Sequence, residues 1–74
     1  MIRLIINKKL EELGWSNYKL HQLTGIRPNT INDLVDNKAK AWSPENLTKI
    51  YKALNLKSID ELLEYVENEE EPKE

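Results

Sequence analysis

Apolar residues recur every three or four positions along most of the chain, which is the spacing of α-helices that bury one face. Together with residues that favour helix ends, this spacing predicts helices over residues 8–13, 17–24, 28–35, 44–54 and 59–63. The side chains expected to face the core are Leu10, Leu13, Leu20, Leu23, Ile31, Leu34, Val35, Leu47, Ile50, Tyr51 and Leu54. The pattern therefore predicts a mainly α fold with five helices.

Residues with strong preferences for helix ends support these boundaries. Ser16 and Ser43 stand where a serine hydroxyl can accept a hydrogen bond from the first turn of a helix. Gly14 and Gly25 follow helices one and two, where a left-handed backbone is needed. After helix three the same conformation is expected of Asn37, because asparagine adopts it best among the non-glycine residues.

The start of the first helix is ambiguous, whereas the last helix has a capping signal. Asn7 is expected to cap helix one, although Ile6 also fits the spacing of a longer helix that starts earlier. Ser58 and Glu61 form the capping-box pattern, in which each side chain bonds a backbone N–H of the other residue, and this pattern opens helix five.

The two ends of the chain alternate apolar with polar residues, as half-buried β-strands do. Ile2, Leu4 and Ile6 alternate with their neighbours at one end, and residues 64–67 alternate at the other. We expect the two segments to pair as a small two-stranded antiparallel ribbon. Because an isolated ribbon is marginal in water, it needs helices or a second subunit to pack against.

Length and composition predict one small domain with a modest core, since the chain has 74 residues. It contains no cysteine and one histidine, so neither disulfides nor a metal site are expected. Stability is expected from helix packing, dimerisation or both, and Trp15 and Trp42 are expected to close the ends of the core. No apolar run is long enough for a signal sequence or a membrane span, which predicts a cytoplasmic protein with no membrane partner.

Charge is unevenly distributed along the chain. The net charge is −2, but residues 67–74 hold five acids and one base, which leaves ten bases and eight acids in residues 1–66. We therefore expect a folded domain over 1–66 and a disordered acidic tail over 67–74, since the tail is too polar to bury anything. The folded part has a net charge of +2, so the tail hides the charge that matters for phosphate, but the domain is less basic than many DNA-binding domains.

Helices two and three are joined by a short turn that contains Gly25. Residues 16–37 therefore have the pattern of a helix-turn-helix, in which the first helix crosses the DNA backbone and the second enters the major groove. Leu20, Ile31 and Leu34 are expected to hold the two helices together.

A resemblance to the Cro/repressor-type (Xre) helix-turn-helix family is carried by SNYKLHQLTGI at 16–26, NTI at 29–31, Leu34 and NK at 37–38. It extends over roughly residues 7–66, because LTKIYKALNL and IDELL are similar to the fourth and fifth helices of that family. The resemblance implies a five-helix, lambda-repressor-like DNA-binding domain. In the family, Gln, Ala and Gly are usual where this chain has Asn17, His21 and Asn37.

Helix three and the turn before it carry five polar side chains that the core does not need. The resemblance implies that these side chains contact bases. They are Arg27, Asn29, Thr30, Asn32 and Asp33. Arginine pairs with guanine, asparagine pairs with adenine, and threonine can contact a thymine methyl group or a phosphate. Asp33 can accept from cytosine, pair with Arg27 or point away, and we favour the last two because phosphate repels a carboxylate. The alternative is that the whole set is ordinary polar surface.

Four residues are candidates for phosphate contacts: Asn17, Lys19, Lys38 and Lys40. Lys38 and Lys40 follow the exit of helix three, which strengthens their assignment, whereas solubility is the favoured explanation for Lys19. His21 is expected to pack or to form a hydrogen bond.

The sequence contains no nucleophile–base pair, metal cluster or phosphate-binding loop, so we expect no enzyme, no cofactor and no small-molecule ligand. The predicted function is that of a small transcriptional regulator, a repressor, that binds double-stranded DNA by sequence. One short helix makes too few contacts to select a genomic site, so a homodimer is expected to read two half-sites about 34 Å apart. The expected dimer interface is Leu62, Leu63, Tyr65 and Val66.

Two alternatives remain open at the level of sequence. One is an antitoxin of the same fold that binds a toxin protein and represses its own operon, with the acidic tail as the arm that orders on the toxin. The other is a protein-interaction module in which helix three enters a groove of a partner protein.

Overall fold

The computed structural model describes residues 1–67, which form four α-helices and one two-stranded sheet. The tail predicted over 67–74 lies, from residue 68 onward, outside the described residues. In chain order the elements are β1 (Ile2–Leu4), α1 (Ile6–Leu13), α2 (Asn17–Thr24), α3 (Pro28–Val35), α4 (Pro44–Ala53), a single 3₁₀ turn (Ile59–Glu61) and β2 (Leu63–Tyr65).

The two strands form the predicted antiparallel ribbon, although β2 covers Leu63–Tyr65 where 64–67 was expected, and Ile6 belongs to α1. Ile2 pairs with Tyr65, and Leu4 pairs with Leu63. Leu4 is only 1% exposed, so the ribbon is anchored by a side chain that enters the helical core. The helices therefore supply the support that an isolated ribbon lacks.

The predicted boundaries of the central helices are confirmed. The hydroxyl oxygens of Ser16 and Ser43 accept backbone N–H groups in the first turns of α2 and α4. Gly14 and Gly25 have φ values of 71° and 76°, and Asn37 has a φ of 60°, so all three adopt the left-handed conformation expected after a helix.

Helix one begins two residues earlier than the prediction over 8–13. The residue before its first turn is Ile5, which makes no side-chain cap, and Asn7 lies inside the helix with its side chain exposed. The cap predicted at Asn7 is therefore wrong, and the longer helix that includes Ile6 is right. The reason is burial: Ile6 is completely buried and stabilises the first turn from the core side.

The predicted fifth helix is wrong, since residues 59–63 form one 3₁₀ turn followed by the start of β2. The Ser58 side chain makes no capping bond, and Glu61 accepts from the backbone N–H of Lys57 at 3.3 Å. A helix this short is unstable without packing. Pairing of β2 with β1 replaces the helical bonds, since the Leu62 carbonyl accepts from the Ile5 N–H at 2.9 Å and Leu63 lies opposite Leu4.

One hydrophobic core lies between the helices and the ribbon, built from Leu4, Ile6, Leu10, Leu20, Ile26, Ile31, Leu34, Ile50, Leu54, Leu56 and Leu62. Trp15 and Trp42 are half-buried against it, as expected of residues that close its ends. Leu13 and Leu23 were expected inside but are 41% and 50% exposed. Each lies in the last turn of an eight-residue helix.

An ion-pair cluster links α1 to the 3₁₀ turn. The Lys9 ammonium lies 3.3 Å from a Glu12 carboxylate oxygen and 3.5 Å from one of Glu61. The Glu12 carboxylate, and to a smaller extent that of Glu61, raises the pKa of Lys9 above its usual value. The cluster is exposed, so it orients the turn more than it stabilises the fold.

Candidate nucleic-acid interface

Helices α2 and α3 pack directly against each other across a tight turn. Gly25 ends α2 with a φ of 76°, a conformation that L side chains rarely adopt. Ile26 then enters the core, where it is 5% exposed, and Pro28 occupies the first turn of α3. The buried side chains of Leu20 and Ile31 hold the two helices together, so the geometry is that of a helix-turn-helix.

Two side chains of α2 hold the turn by hydrogen bonds. His21 Nδ1 lies 2.7 Å from the Ile26 carbonyl oxygen and must carry the hydrogen, because a carbonyl only accepts. Thr24 Oγ1 donates to the Leu20 carbonyl at 2.8 Å and accepts from the Ile26 N–H at 3.2 Å. The hydrogen-bonding role predicted for His21 is confirmed. The role of Thr24 was missed, since a threonine near a helix end has no distinctive pattern in sequence.

The orientation of α3 follows from its buried residues. Ile31 and Leu34 face the core, being 0% and 3% exposed. At 100° per residue, Asn29, Asn32 and Asp33 then lie on the opposite face, and all three are exposed. Thr30 lies at the edge of that face and is half-buried, and Arg27 is exposed in the turn. The structure therefore places three of the five candidate base contacts on the outward face of α3 and the other two beside it.

Asn32 is held in place by a neighbour from α2. Asn17 Nδ2 donates a hydrogen bond to Asn32 Oδ1 at 2.8 Å. Both N–H groups of Asn32 and the second lone pair of its oxygen stay available for an outside partner. The bond joins a candidate phosphate contact to a candidate base contact, and it fixes the direction in which Asn32 points.

Asp33 remains on the exposed face without a cation beside it. Within residues 1–67 it forms no ion pair, including none with Arg27. Its carboxylate thus adds negative charge to a surface where the other four candidates offer neutral or positive groups.

The candidate lysines differ in their surroundings. Lys38 and Lys40 are exposed in the loop after α3. Lys19 places its Nζ 5.4 Å from the centre of the Trp15 ring, so its charge lies against an aromatic face. Lys38 and Lys40 therefore project freely beside α3, whereas Lys19 has a local structural contact.

The loop after α3 is fastened to the ribbon through Asn37. The Leu4 N–H donates to Asn37 Oδ1 at 2.8 Å, and Asn37 Nδ2 donates to the Leu4 carbonyl at 3.0 Å. The side-chain amide thus bonds both backbone groups of one strand residue, as a neighbouring strand would. The sequence predicts the left-handed backbone of Asn37 but not this pair of bonds, because the partner lies 33 positions away.

A polar groove opens between the turn and α4. It has a volume of about 370 Å³ and is lined by Gly25, Ile26, Arg27, Thr30, Asn46 and Lys49. Arg27 and Thr30 are candidates from the sequence, whereas Asn46 and Lys49 are not. No local pattern identifies the latter two, since only the packing of α4 against α2 brings them beside the turn.

The four residues expected at a dimer interface are not equally accessible. Leu62 is 1% exposed and belongs to the core of its own chain, so its side chain is not available to a second subunit. Leu63 and Val66 are half-buried, and Tyr65 is 68% exposed. Burial of Leu62 follows from the short 3₁₀ turn, which directs this side chain inward where a longer helix was expected.

Two other features are absent from residues 1–67. Across residues 1–67, no three histidine, cysteine or acidic side chains converge as metal ligands would. None of the helices in this part of the chain combines the length and apolar character that crossing a membrane requires.

Comparison with known proteins gave one match. The family model of the Cro/C1-type HTH DNA-binding domain matches residues 6–68. No curated protein and no solved structure matched the chain.

Proposed function

The chain belongs to the family of Cro/C1-type HTH DNA-binding domains, and from this premise we propose that it is a sequence-specific transcriptional repressor that reads double-stranded DNA with α3. The observation that carries the proposal is the outward face of α3, where Asn29, Asn32 and Asp33 lie opposite the buried Ile31 and Leu34. Thr30 lies at the edge of this face, and Arg27 is exposed in the turn before it. A helix presented in this way fits the major groove, whose base edges form a distinct hydrogen-bonding code.

Base recognition is divided among side chains of different chemistry. The Arg27 guanidinium can donate two hydrogen bonds to guanine, and Asn29 or Asn32 can bond adenine bidentately. Thr30 can contact a thymine methyl group, and Asp33 can accept from the amino group of cytosine. The carboxylate of Asp33 disfavours guanine or thymine at the base position that it faces. In the major groove these two bases present only acceptors or a methyl group, which cannot donate to a carboxylate.

Backbone contacts set the register of α3 in the groove. Lys38 and Lys40 supply charge beside the exit of α3, and Asn17 supplies a polar contact at the start of α2. Lys19 is a weaker candidate, because its ammonium already lies over Trp15. These contacts raise affinity for every sequence and carry no base information.

A homodimer supplies the specificity that one helix lacks. The outer edge of β2 and the side chain of Tyr65 support this part of the proposal. The N–H of Val66 bonds the Met1 carbonyl, so by the alternation of an antiparallel ladder the backbone groups of Leu63 and Tyr65 point away from β1. Within residues 1–67 this edge has no backbone partner, and such an edge with an exposed aromatic residue favours association with a second copy of the chain.

Selection of bound duplexes from a random library tests the proposal. We expect enrichment of a two-fold symmetric sequence with half-sites about one helical turn apart. Affinity for the selected duplex should exceed that for a scrambled duplex of equal length by at least about a thousandfold, and both should fall steeply as salt rises. Absence of enrichment, together with no duplex binding at any salt concentration, would contradict the proposal.

A further inference from the structure

We propose that the groove between the turn and α4 binds one phosphate of the DNA backbone, with Lys49 as its charged ligand and Asn46 as its neutral ligand. This inference rests on the proposed function, because the phosphate belongs to the duplex that α3 reads. It assigns a binding role to α4, a helix whose other described contacts are structural.

The lining of the groove has the chemistry of an anion site. Arg27 and Lys49 carry positive charge, and Thr30 and Asn46 add a hydroxyl and an amide donor. Among residues 1–67, no carboxylate lines the groove. A phosphodiester has one negative charge and two accessible oxygens, so a set of cationic and neutral donors matches it.

The donors of the groove are available to a ligand. Within the part of the chain that the structure describes, the four polar side chains take part in no hydrogen bond or ion pair with the protein. The bond from Asn46 to Ser43 uses its backbone N–H, so its side-chain amide stays free. Asn46 and Thr30 are also half-buried, so their polar groups are positioned by packing.

The position of the groove explains what a phosphate there would do. Arg27 and Thr30 lie at the first turn of α3 and face both the groove and the surface that contacts bases. A phosphate held between this turn and α4 would therefore flank the base pairs that α3 reads. Lys49 and Asn46 lie on α4 and not on α3, so they fix the angle at which α3 enters the DNA without reading sequence.

Two lysines of α4 provide a matched test. Lys49 lines the groove, whereas Lys52 lies three residues further along the same helix and outside it. Both are exposed, so Lys49→Gln and Lys52→Gln remove one charge each without disturbing the core. Thermal unfolding of both variants verifies that the fold is kept.

The measurement is binding to the selected duplex and to a scrambled duplex across a range of potassium chloride concentrations. We expect Lys49→Gln to weaken binding to both duplexes about three- to tenfold per subunit. The slope of log affinity against log salt should fall by about 0.9 per subunit. Lys52→Gln should change affinity by less than about twofold, because Lys52 does not line the groove and an exposed charge without a direct contact contributes little.

Duplexes with a single uncharged methylphosphonate then identify the phosphate. At one position of each half-site, the methylphosphonate should reduce the affinity of the wild-type protein. The same methylphosphonate should reduce the affinity of Lys49→Gln much less, because that variant already lacks the contact to this phosphate. Asn46→Ala should weaken binding to both duplexes without changing the salt slope, since the amide is neutral.

The outcomes separate this inference from the proposed function. If the wild-type protein binds duplex but Lys49→Gln and Lys52→Gln behave alike, the groove is not a phosphate site, and the reading by α3 is unaffected. If every methylphosphonate reduces the affinity of the wild-type protein and of Lys49→Gln by the same factor, the groove is also not a phosphate site. If the wild-type protein binds no duplex at any salt concentration, the proposed function fails and the groove assignment fails with it.

Discussion

Each side chain on the outward side of α3 offers a different hydrogen-bonding pattern to a base edge. Arg27 donates only, whereas the amides of Asn29 and Asn32 both donate and accept. The bond from Asn17 limits the directions available to Asn32. A side chain held in this way loses less conformational entropy when it meets a base, which favours specific contact.

Substitution of the base contacts should reduce specific binding selectively. Arg27→Ala and Asn32→Ala should each weaken binding to the selected duplex by about 1–3 kcal/mol per site contacted, with much smaller effects on a scrambled duplex. Lys38→Ala is the contrasting variant, since loss of a phosphate contact should weaken both duplexes alike. Fluorescence anisotropy measures all three. If both classes of variant keep full affinity for the selected duplex, α3 is not the recognition helix.

His21 contributes to stability through the turn. His21→Ala removes the donor that satisfies the Ile26 carbonyl and should lower the free energy of unfolding by about 1 kcal/mol. Gln22→Ala is the control, because Gln22 is an exposed neighbour in α2 and should change stability by less than about 0.5 kcal/mol. Urea denaturation measures both. Equal effects of the two substitutions would show that the His21 bond adds no stability.

At the scale of elements, the connection between α3 and β1 passes through one side chain. Asn37 lies in the turn after α3 and has a left-handed backbone. Its side-chain amide bonds both backbone groups of Leu4. The usual glycine of the family would give the same backbone conformation without the two bonds. In this chain, asparagine therefore both terminates α3 and aligns the ribbon with it.

The contribution of this connection can be separated from backbone conformation. Asn37→Gly keeps the positive φ easily but removes two hydrogen bonds, so stability should fall by about 1–3 kcal/mol. Asn55 is a matched control, since it also has a positive φ, of 55°, and makes no side-chain hydrogen bond within residues 1–67. Asn55→Gly should leave stability nearly unchanged or slightly higher. Similar results at both positions in urea denaturation would exclude a stabilising role for the Asn37 amide.

At the scale of the whole molecule, the acidic segment 68–74 is expected to be dispensable for folding. Every buried residue of the described core lies between Leu4 and Leu62. Deletion of 68–74 removes four acids and one lysine, so DNA binding should be unchanged or tighter through weaker charge repulsion. A variant of full length with these four glutamates changed to glutamine should behave alike. Weaker DNA binding or a lower unfolding temperature after deletion would contradict this expectation.

The proposed dimer depends on the exposed end of the ribbon. Tyr65→Lys places a charge at the outer strand and should raise the dimer dissociation constant at least about tenfold, since an aromatic contact is lost. Leu23→Lys is the control, because Leu23 is 50% exposed but lies on α2. Sedimentation velocity over a range of concentrations measures both. A wild-type protein that stays monomeric while it saturates the selected duplex would contradict the homodimer.

Local interactions between neighbouring residues were sufficient to predict α2, α3 and α4 and the turn that joins the first two of these. Ser16, Gly25 and Pro28 act within a few positions of themselves, through a cap, a left-handed backbone and a restricted φ. The spacing of Ile31 and Leu34 then orients α3, so the side of the helix that carries Arg27 and Asn32 also follows from local pattern. The sequence was thus sufficient to predict which side of α3 carries the candidate residues.

Features that join distant parts of the chain depend on packing and were not readable in this way. Burial of Ile6 and pairing of Leu63 with Leu4 set where the first helix starts and why no fifth helix forms. The bonds of Asn37 to Leu4 and the approach of Lys49 to Arg27 arise only when the elements meet. Sequence patterns record the preferences of adjacent residues, whereas contacts across tens of positions are selected by the free energy of the assembled core.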